Sequence, residues 1–384
     1  MSEIVTLKNH VEAENIHNKN QEDIPVYSVT HDKGFCVNYF SKDVSGENKS
    51  TYKIVPRGYF AYNPLRVNVG SLGYQDVMDR VQISSRYVVF KLTSDAFYPR
   101  YLVYLLKSRP YLRIIREKCR GTVRPELTIH ILKTIPVELR SIEEQKQIVA
   151  RLDAVKERIS ETEKLINRFD ELVKSRFIEM FGDLQTQPIA LNKVCTFING
   201  DRGVNYPSKE DFVESGVPFV NAGHLINGVI DFSEMNYITQ DKYDKLGSGK
   251  IERGDILYCL RGSIGKQAIS TITHAAIASS LVILRPSKDI LPEYLSYELG
   301  SVRAQKYLAE CKNGSSQPNL SADSLKKYSL RIPPIEQQQS FVEFVKQADK
   351  SKFELQKVLN ELNELFDSLE QRYFSLENDK AVKV

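Results

Sequence analysis

Two stretches of the chain carry apolar positions separated alternately by four and three residues. They span residues 142–181 and 335–374, and neither contains proline or glycine. A 3.5-residue period between charged flanks is typical of helices that pair as coiled coils. The predicted seam consists of Ile148, Leu152, Val155, Ile159, Ile166, Phe169 and Val173 in the first helix and Phe341, Val345, Leu355, Leu359, Leu362, Phe366 and Leu369 in the second.

Each of these helices would be roughly 50 Å long at a rise of about 1.5 Å per residue. An apolar seam of that length is unfavourable in water unless a partner covers it. The chain offers its other long helix, so we expect the two to pair within one molecule. The alternative is that each pairs with a helix of another molecule.

The chain contains one pattern written twice, with an offset of about 195 residues. Each copy has short β-like runs, such as 87–90, 256–258 and 281–284, separated by Gly, Asn and Asp turns. One amphipathic helix follows, at about residues 99–118 and 292–311, and the long helix comes last. Matched positions include Arg57-Gly58 with Arg253-Gly254, Tyr101-Leu102 with Tyr294-Leu295, and Ile142-Glu143 with Ile335-Glu336.

The two copies differ at their beginning. Upstream of residue 217 the second copy has a strand-like opening with Leu191, Val194 and Phe197, whereas the first has only a short polar stretch before Ile24. We therefore expect the first domain to be truncated at its start. The chain is predicted to consist of an N-terminal segment 1–23, a first domain 24–140, a first long helix 141–182, a second domain 188–333, a second long helix 334–376 and a C-terminal tail 377–384.

The composition is that of an ordinary globular protein with two or more domains: 384 residues, 41% hydrophobic, 27% charged, formal net charge +4. No apolar run is long enough to span a bilayer, and the N-terminus lacks the apolar core of a secretion signal, so a cytoplasmic location is expected. The five cysteines are far apart and the six histidines lack metal-ligand spacing, so neither disulfides nor a metal site is predicted.

No catalytic motif accompanies this pattern. Residues 262–266 match the end of a phosphate-binding loop, but Leu260 stands where the first glycine belongs and Gln267 replaces the Ser or Thr. The Asn/Asp-Pro-Pro-aromatic run of amino-methyltransferases and a nuclease-type acid cluster are both missing from the sequence. The sequence therefore predicts a non-catalytic chain that binds no cofactor.

The junction between each domain and its long helix carries the most recognisable residues. The second copy reads Gly-Ser-Ser-Gln-Pro-Asn-Leu at 314–320 and Ile-Pro-Pro-Ile-Glu-Gln-Gln at 332–338. The first reads Gly-Thr-Val-Arg-Pro-Glu-Leu at 121–127 and Ile-Glu-Glu-Gln at 142–145. This ordered pair, within about residues 24–376, resembles the specificity subunits of type I restriction–modification enzymes.

The resemblance implies an α+β fold in which two target recognition domains, related by pseudo-twofold symmetry, are separated by two long helices that form an antiparallel intramolecular coiled coil. Each domain would read one half of a bipartite, asymmetric site in double-stranded DNA. Two modification subunits would carry DNA adenine methyltransferase activity, and restriction subunits the ATP-dependent motor and nuclease. S-adenosylmethionine, ATP and Mg²⁺ would belong to those partners.

A row of basic side chains marks the amphipathic helix of the first copy. Its arginines are spaced by four, three and four residues, which places them on one side of a helix. Such a row suits phosphate oxygens; a solvated basic face is the other interpretation. The predicted phosphate contacts are Arg109, Arg113, Arg116, Arg120 and Arg124 in the first copy and Arg303, Lys306 and Lys312 in the second.

Base reading is expected in turn-rich segments that differ between the copies, because different targets need different side chains on a shared frame. For any one residue, a structural role in a turn is the alternative. The candidates are Lys33, Asn38, Tyr59, Asn63 and Arg66 in the first copy and Arg202, Asn205, Tyr206, Asn221, His224, Arg261, Ser263, Lys266 and Gln267 in the second.

Features present in both copies are expected to belong to the frame. The Arg-Gly pairs at 57–58 and 253–254 fit turns that lead into strands. Residues 143–145 and 336–338 begin the long helices, where a capping role and a role in docking partners are both open.

Two other functions stay open on the sequence. A coiled-coil adaptor that binds only proteins would have the same helices but no need of the arginine row. An autonomous DNA-modifying enzyme would need a catalytic motif.

Overall fold

The computed structural model describes residues 3–37, 49–66, 70–119, 126–311 and 320–376. The chain divides into two compact units. Unit 1 comprises residues 1–165 and 355–384, and unit 2 comprises residues 166–354. Each long helix therefore contributes one part to each unit.

The elements of the first half of the chain are β1 (Glu3–Thr6), β2 (Val11–Glu14), β3 (Ser28–Thr30), β4 (Gly34–Cys36), β5 (Lys53–Pro56), β6 (Phe60–Tyr62), β7 (Leu72–Tyr74), β8 (Arg80–Ile83), β9 (Val88–Leu92), α1 (Pro99–Lys107), α2 (Arg109–Lys118), α3 (Ile129–Lys133), β10 (Pro136–Leu139) and α4 (Ile142–Phe181).

The second half contains β11 (Ile189–Ala190), β12 (Cys195–Asn199), β13 (Phe212–Val213), β14 (Val217–Val220), β15 (Leu225–Ile226), β16 (Val229–Ile230), β17 (Tyr237–Ile238), α5 (Gln240–Lys245), β18 (Ile256–Cys259), β19 (Gln267–Ile269), β20 (Ala276–Ile277), β21 (Leu281–Pro286), α6 (Pro292–Gly300), α7 (Val302–Glu310), α8 (Ala322–Lys326), β22 (Ser329–Leu330) and α9 (Ile335–Phe374).

The two units share the same arrangement of one four-stranded and one two-stranded sheet, which we call the frame. Unit 1 contains a four-stranded antiparallel sheet in the order β2-β9-β6-β7 and a two-stranded sheet that pairs β1 with β10. Unit 2 contains the equivalent sheets, β12-β21-β18-β19 and β11 with β22. In each unit the main core joins apolar residues of the four-stranded sheet to those of the short helices that follow it. The prediction of a tandem repeat is confirmed.

Between the frame strands the units differ. Unit 1 has the hairpin β3–β4 and the antiparallel pair β5–β8. Unit 2 has a second four-stranded sheet, β13-β17-β14-β20, in which β14 and β20 run parallel, together with the hairpin β15–β16. The frame therefore carries a different insertion in each copy.

The expectation that the first domain is truncated at its start is wrong. β1 and β2 hold the same places as β11 and β12, and each pairs over four residues, with β10 and β9. Two strands of the frame therefore lie within residues 1–23, which were predicted to be an N-terminal segment outside the first domain. β2 looks polar in sequence because it is a strand at a sheet edge, where Val11 is buried and Glu12 is exposed.

The single amphipathic helix predicted in each copy is two helices. α1 and α2 meet at Ser108, and α6 and α7 meet at Ser301, where ψ is 150° and 156°. The Ser301 hydroxyl caps α7 by accepting from the N–H of Ala304 at 3.2 Å. Pro110 stands in the first turn of α2, where its missing N–H is not needed. The apolar period continues across both serines, so the hydrophobic pattern alone does not show the break.

The long helices have the predicted bounds, Ile142–Phe181 and Ile335–Phe374. In unit 1, the first part of α4 packs against the last part of α9. Arg151 donates to the hydroxyl of Tyr373 at 3.0 Å, and Lys156 Nζ lies 5.2 Å from the ring centre of Phe366. Residue numbers rise along one helix as they fall along the other, so the two parts are antiparallel.

In unit 2, the last part of α4 packs against the first part of α9 in the same sense. Lys352 donates to Asp170 at 2.5 Å, and the rings of Phe177 and Phe341 lie 5.3 Å apart. The predicted seam residues of both helices are buried or half-buried, while their flanks are mostly exposed. The antiparallel pairing of the two long helices is therefore formed within one chain.

Candidate nucleic-acid interface

Equivalent hairpins in the two units each present an arginine. Hairpin β6–β7 of unit 1 carries Arg66 in its loop, and hairpin β18–β19 of unit 2 carries Arg261. Both residues are exposed, and neither guanidinium has a hydrogen bond or ion pair among the described residues. The paired strands at the base of each hairpin fix its position, and both arginine side chains are exposed there.

The loop of hairpin β18–β19 is closed by its own backbone. Gly262 and Gly265 have φ of 75° and 88°, values that favour glycine. The N–H groups of Gly265 and Lys266 donate to the carbonyls of Cys259 and Ser263, both at 3.1 Å. These amides are used inside the loop, so they cannot wrap a phosphate as in a nucleotide-binding loop.

Other predicted base-reading residues of unit 2 adjoin this hairpin. Arg202 donates to the Ser279 carbonyl at 3.4 Å. The carbonyl of the next residue, Ser280, accepts the N–H of Leu260 in the hairpin at 3.0 Å. Lys266 Nζ lies 3.5 Å from the carbonyl oxygen of Ala222, beside Asn221. The structure therefore groups Arg202, Asn221 and Lys266 around the hairpin of unit 2.

Three further candidates of unit 2 are engaged within the unit. His224 is buried, and its ring nitrogens have backbone partners at 3.1 and 3.2 Å. Tyr206 packs against an apolar cluster. Gln267 in β19 donates to the Ser296 carbonyl at 2.7 Å. Their side chains have roles in the fold, whatever else they contact.

The loop 201–206 holds an apolar residue that the sequence pattern does not single out. The Asp201 carboxylate accepts from the N–H groups of Gly203 and Gly247, both at 2.8 Å, which fixes the loop. Val204 at its tip is 98% exposed, beside the half-buried Asn205. Only the folded position distinguishes this valine from a core valine.

In unit 1 the hairpin loop lies beside the β3–β4 hairpin. The Asn63 side chain accepts from the N–H of Leu65 at 3.1 Å and so shapes the loop before Arg66. The Ser71 hydroxyl donates to a β3 carbonyl at 2.7 Å. Lys33 is exposed in the turn between β3 and β4. The structure thus places Lys33 and Arg66 in neighbouring loops.

The Arg-Gly pairs are turns, as predicted. Gly58 and Gly254 have φ of 91° and 87°, and each lies shortly before a frame strand. Tyr59 packs half-buried against an apolar cluster. Asp255 is buried and binds Arg285 through two contacts of 2.8 and 2.9 Å, which ties the turn of unit 2 to β21.

Three arginines of the predicted row, Arg109, Arg113 and Arg116, lie on α2. Arg113 and Arg116 are exposed there. Arg109 forms an ion pair of 2.7 Å with Asp367, and its backbone N–H donates to the Glu370 carboxylate at 3.3 Å. The first arginine of the row is therefore held by α9. Four other predicted contacts lie outside the described residues: Asn38, Arg120, Arg124 and Lys312.

Glu370 is a buried carboxyl group at the start of α2. Burial raises its pKa to about 7, while the N–H of Arg109 and the ammonium of Lys156 act in the opposite direction. A helix N-terminus favours a negative charge. The pattern along the chain does not reveal this contact, because Arg109 and Glu370 come from distant parts of the sequence.

The corresponding helix of unit 2 uses its arginine differently. Arg303 pairs with the buried carboxylate of Glu298, which also accepts from the Tyr328 hydroxyl at 2.5 Å. Lys306 is exposed on α7. The two units therefore present different cations on equivalent helices.

Across the described ranges, no helix is long and apolar enough to cross a membrane. Within the same ranges, no three His, Cys, Asp or Glu side chains are grouped as metal ligands would be.

Known proteins are similar to this chain, in sequence and in fold, over most of its length. The type I restriction enzyme EcoBI specificity subunit of Escherichia coli is 23% identical over 372 residues, which cover 87% of this chain and 78% of the relative. The MjaVIII specificity subunit of Methanocaldococcus jannaschii is 23% identical over 273 residues, 65% of this chain and 63% of the relative. A chain from a solved type I restriction–modification system shares the fold with a TM-score of 0.65 at 18% identity, covering 97% of this chain and 98% of that one.

The family model described as the type I restriction modification DNA specificity domain matches twice, at residues 2–169 and 186–365. The first match includes the strands β1 and β2, in agreement with their place in the frame. The two matches cover most of the sequence, and the chain therefore belongs to the family of type I restriction–modification specificity subunits.

Proposed function

We propose that this chain recognises a bipartite, asymmetric target in double-stranded DNA and has no catalytic activity of its own. Unit 1 reads one half of the target and unit 2 reads the other. The observation that carries this proposal is the pair of equivalent hairpins, each with an exposed arginine, on a frame that occurs in both units. An adaptor that binds only proteins gives no reason for two such hairpins.

Base reading is assigned first to Arg66 and Arg261. An arginine can bind the O6 and N7 atoms of guanine through two parallel hydrogen bonds in the major groove. Lys33 in unit 1 and Arg202 in unit 2 lie close enough to these loops to add further contacts. The different insertions around the two hairpins give each unit its own set of side chains.

Phosphate binding is assigned to exposed cations on the equivalent helices α2 and α7. These are Arg113 and Arg116 in unit 1 and Lys306 in unit 2. Phosphate contacts position the protein without reading sequence. The row on α2 therefore supplies affinity and orientation to the unit that carries it.

The partners of this chain are two modification subunits and the restriction subunits. The modification subunits carry adenine methylation with S-adenosylmethionine, and the restriction subunits carry ATP- and Mg²⁺-dependent cleavage. The complex works in the cytoplasm, where the host chromosome is accessible to it.

The paired long helices set the gap between the two half-sites. Removing residues 159–165 from α4 and 357–363 from α9 takes one heptad from each helix and keeps the seam in register. The pair becomes shorter by about 10 Å, near three base pairs at about 3.4 Å each. The methylated motif should keep both half-sequences and lose about three base pairs of gap. A motif with new half-sequences and the old gap would refute this role.

Methylation mapping of the host genome tests the function itself. A bipartite adenine-methylated motif should be present in the wild type, absent after deletion of this gene, and restored when the gene is returned. The purified chain alone should methylate and cleave no DNA when supplied with S-adenosylmethionine, ATP and Mg²⁺. A methylation pattern that is indifferent to the gene would end the proposal.

A further inference from the structure

A buried glutamine ties each long helix to the short helix of its own unit. Gln145, in the first turn of α4, accepts the N–H of Tyr98 at 2.7 Å. Its Nε2 donates to the carbonyls of Ala96 at 2.7 Å and Arg140 at 2.9 Å. The side chain therefore bridges the residues that precede α1 and Arg140, two residues before α4.

The same three bonds recur in unit 2. Gln338, in the first turn of α9, accepts the N–H of Leu291 at 2.8 Å. Its Nε2 donates to the carbonyls of Asp289 at 3.0 Å and Pro333 at 2.9 Å. Each partner stands at the position equivalent to its counterpart in unit 1. Both glutamines are 0% exposed.

We call each of these glutamines, with its three backbone partners, the glutamine clamp. The chemistry of the clamp requires a glutamine. One amide oxygen and two amide hydrogens satisfy one N–H and two carbonyls, all of them backbone groups. A glutamate has the same length but cannot donate to the two carbonyls, and an alanine leaves all three groups without that partner. Tyr98 and Leu291 are the N-cap residues of α1 and α6, and neither side chain caps its helix. The glutamine therefore links the two helix starts in both units, and in unit 1 Arg100 and Tyr104 of α1 add hydrogen bonds to Asp153 of α4 at 2.9 and 2.7 Å.

We infer that Gln145 and Gln338 are positioning residues that hold each recognition unit at a fixed angle on its long helix, and that this fixed angle makes the complex strict about the gap between half-sites. The inference rests on the proposed function. The apolar contacts of Ile148 and Leu152 with the unit 1 core keep the helix attached without the clamp. Because apolar contacts are not directional, they restrict the angle less than three hydrogen bonds do.

The experiment measures methylation in the host strain on a set of plasmids that carry both half-sequences with the gap changed by up to two base pairs. The variants are Gln145→Ala, Gln145→Glu, Gln338→Ala and Gln338→Glu. The matched control is Gln339→Ala, which removes an exposed glutamine next to Gln338. The wild-type complex should methylate only the plasmid with the native gap. Wild-type methylation of several gaps, or of none, would count against the proposed function and not against the role of the glutamines.

The clamp variants should keep the half-sequences and methylate neighbouring gaps, so that the preference for the native gap falls at least tenfold. Gln339→Ala should retain the wild-type preference. An equal loss of methylation at every gap would overturn the inference, since it would make the clamp a stability element only. Failure of all four variants to assemble with their partners, at reduced temperature as well, would overturn it for the same reason.

Discussion

Unit 1 and unit 2 have the same four-stranded sheet and the same glutamine clamp, yet they differ in nearly everything placed between the frame strands. Unit 1 inserts two small antiparallel pairs, whereas unit 2 inserts a second four-stranded sheet with a parallel strand pair. The difference separates two tasks. The frame holds a hairpin and a long helix in a defined relation, and the insertions supply the chemistry around the hairpin.

The equivalent helices α2 and α7 show the same division at a smaller scale. Each begins after a serine that ends the preceding helix, but their cations have different partners. Arg109 in unit 1 pairs with α9, while Arg303 in unit 2 pairs with a buried glutamate of α6. Equivalent helices therefore use arginines at different positions to hold different parts of their units.

The largest expected difference between the units concerns the ion pairs of their equivalent strands β21 and β9. Asp255 is buried against Arg285, so Asp255→Ala should cost about 3 kcal/mol, because it leaves a partly buried guanidinium without its main partner. Glu14 pairs with Lys91 at a more exposed place, so Glu14→Ala should cost less than about 1 kcal/mol. Denaturant unfolding of the two variants measures both values, and equal losses would contradict the comparison.

The two hairpin arginines should act separately on the two half-sites. Arg66→Ala should lower binding by about 1–3 kcal/mol and relax a base in one half only, and Arg261→Ala should do the same in the other half. Binding of the assembled complex to single-base variants of the target resolves the two effects. If both substitutions relaxed the same half, the assignment of one hairpin to each half would be wrong.

The start of α2 should make the stability of unit 1 depend on pH. The folded pKa of Glu370 is raised to about 7, so the folded state holds a proton that the unfolded state releases at lower pH. The stabilisation is fully present below the unfolded pKa, near 4.3, and is lost as pH rises through about 7. Glu370→Gln, which needs no proton, should therefore stabilise the protein at pH 8 by about 2 kcal/mol and have little effect at pH 4.

Thermal unfolding at the two pH values measures this effect. Ser301→Ala is the control in unit 2, because it removes the cap of α7 without a titratable group and should cost about 1 kcal/mol at both pH values. A benefit of Glu370→Gln that was the same at pH 4 and pH 8 would show that burial of the charge is not its cause.

The smallest effect is expected for the exposed cations of the equivalent helices. Arg113→Ala in unit 1 and Lys306→Ala in unit 2 should each weaken binding about equally for all sequences and reduce the slope of log K against log salt by about one. Salt titrations of the assembled complex on specific and nonspecific DNA provide the measurement. A change in base preference with an intact slope would assign the residue to base reading instead.

The repeat, the bounds of the two long helices and the Arg-Gly turns could all be predicted from the amino-acid sequence. Heptad spacing from Ile148 to Val173 is a local pattern, and local geometry alone dictates which face of such a helix is apolar. The Arg-Gly turns were equally local, because the positive φ at Gly58 and Gly254 is a property of a single residue. The family resemblance then supplied the antiparallel arrangement of the helices.

Other features depend on contacts between residues that are distant along the chain. β1 and β2 were not predicted as strands of the first domain, because their partners β10 and β9 are distant along the chain. The role of Gln145 depends on backbone groups at residues 96–98, and the pKa of Glu370 on burial near Arg109. Hydrogen bonding and desolvation act over a few ångströms in space, so a one-dimensional pattern reveals them only when the partners are also neighbours along the chain.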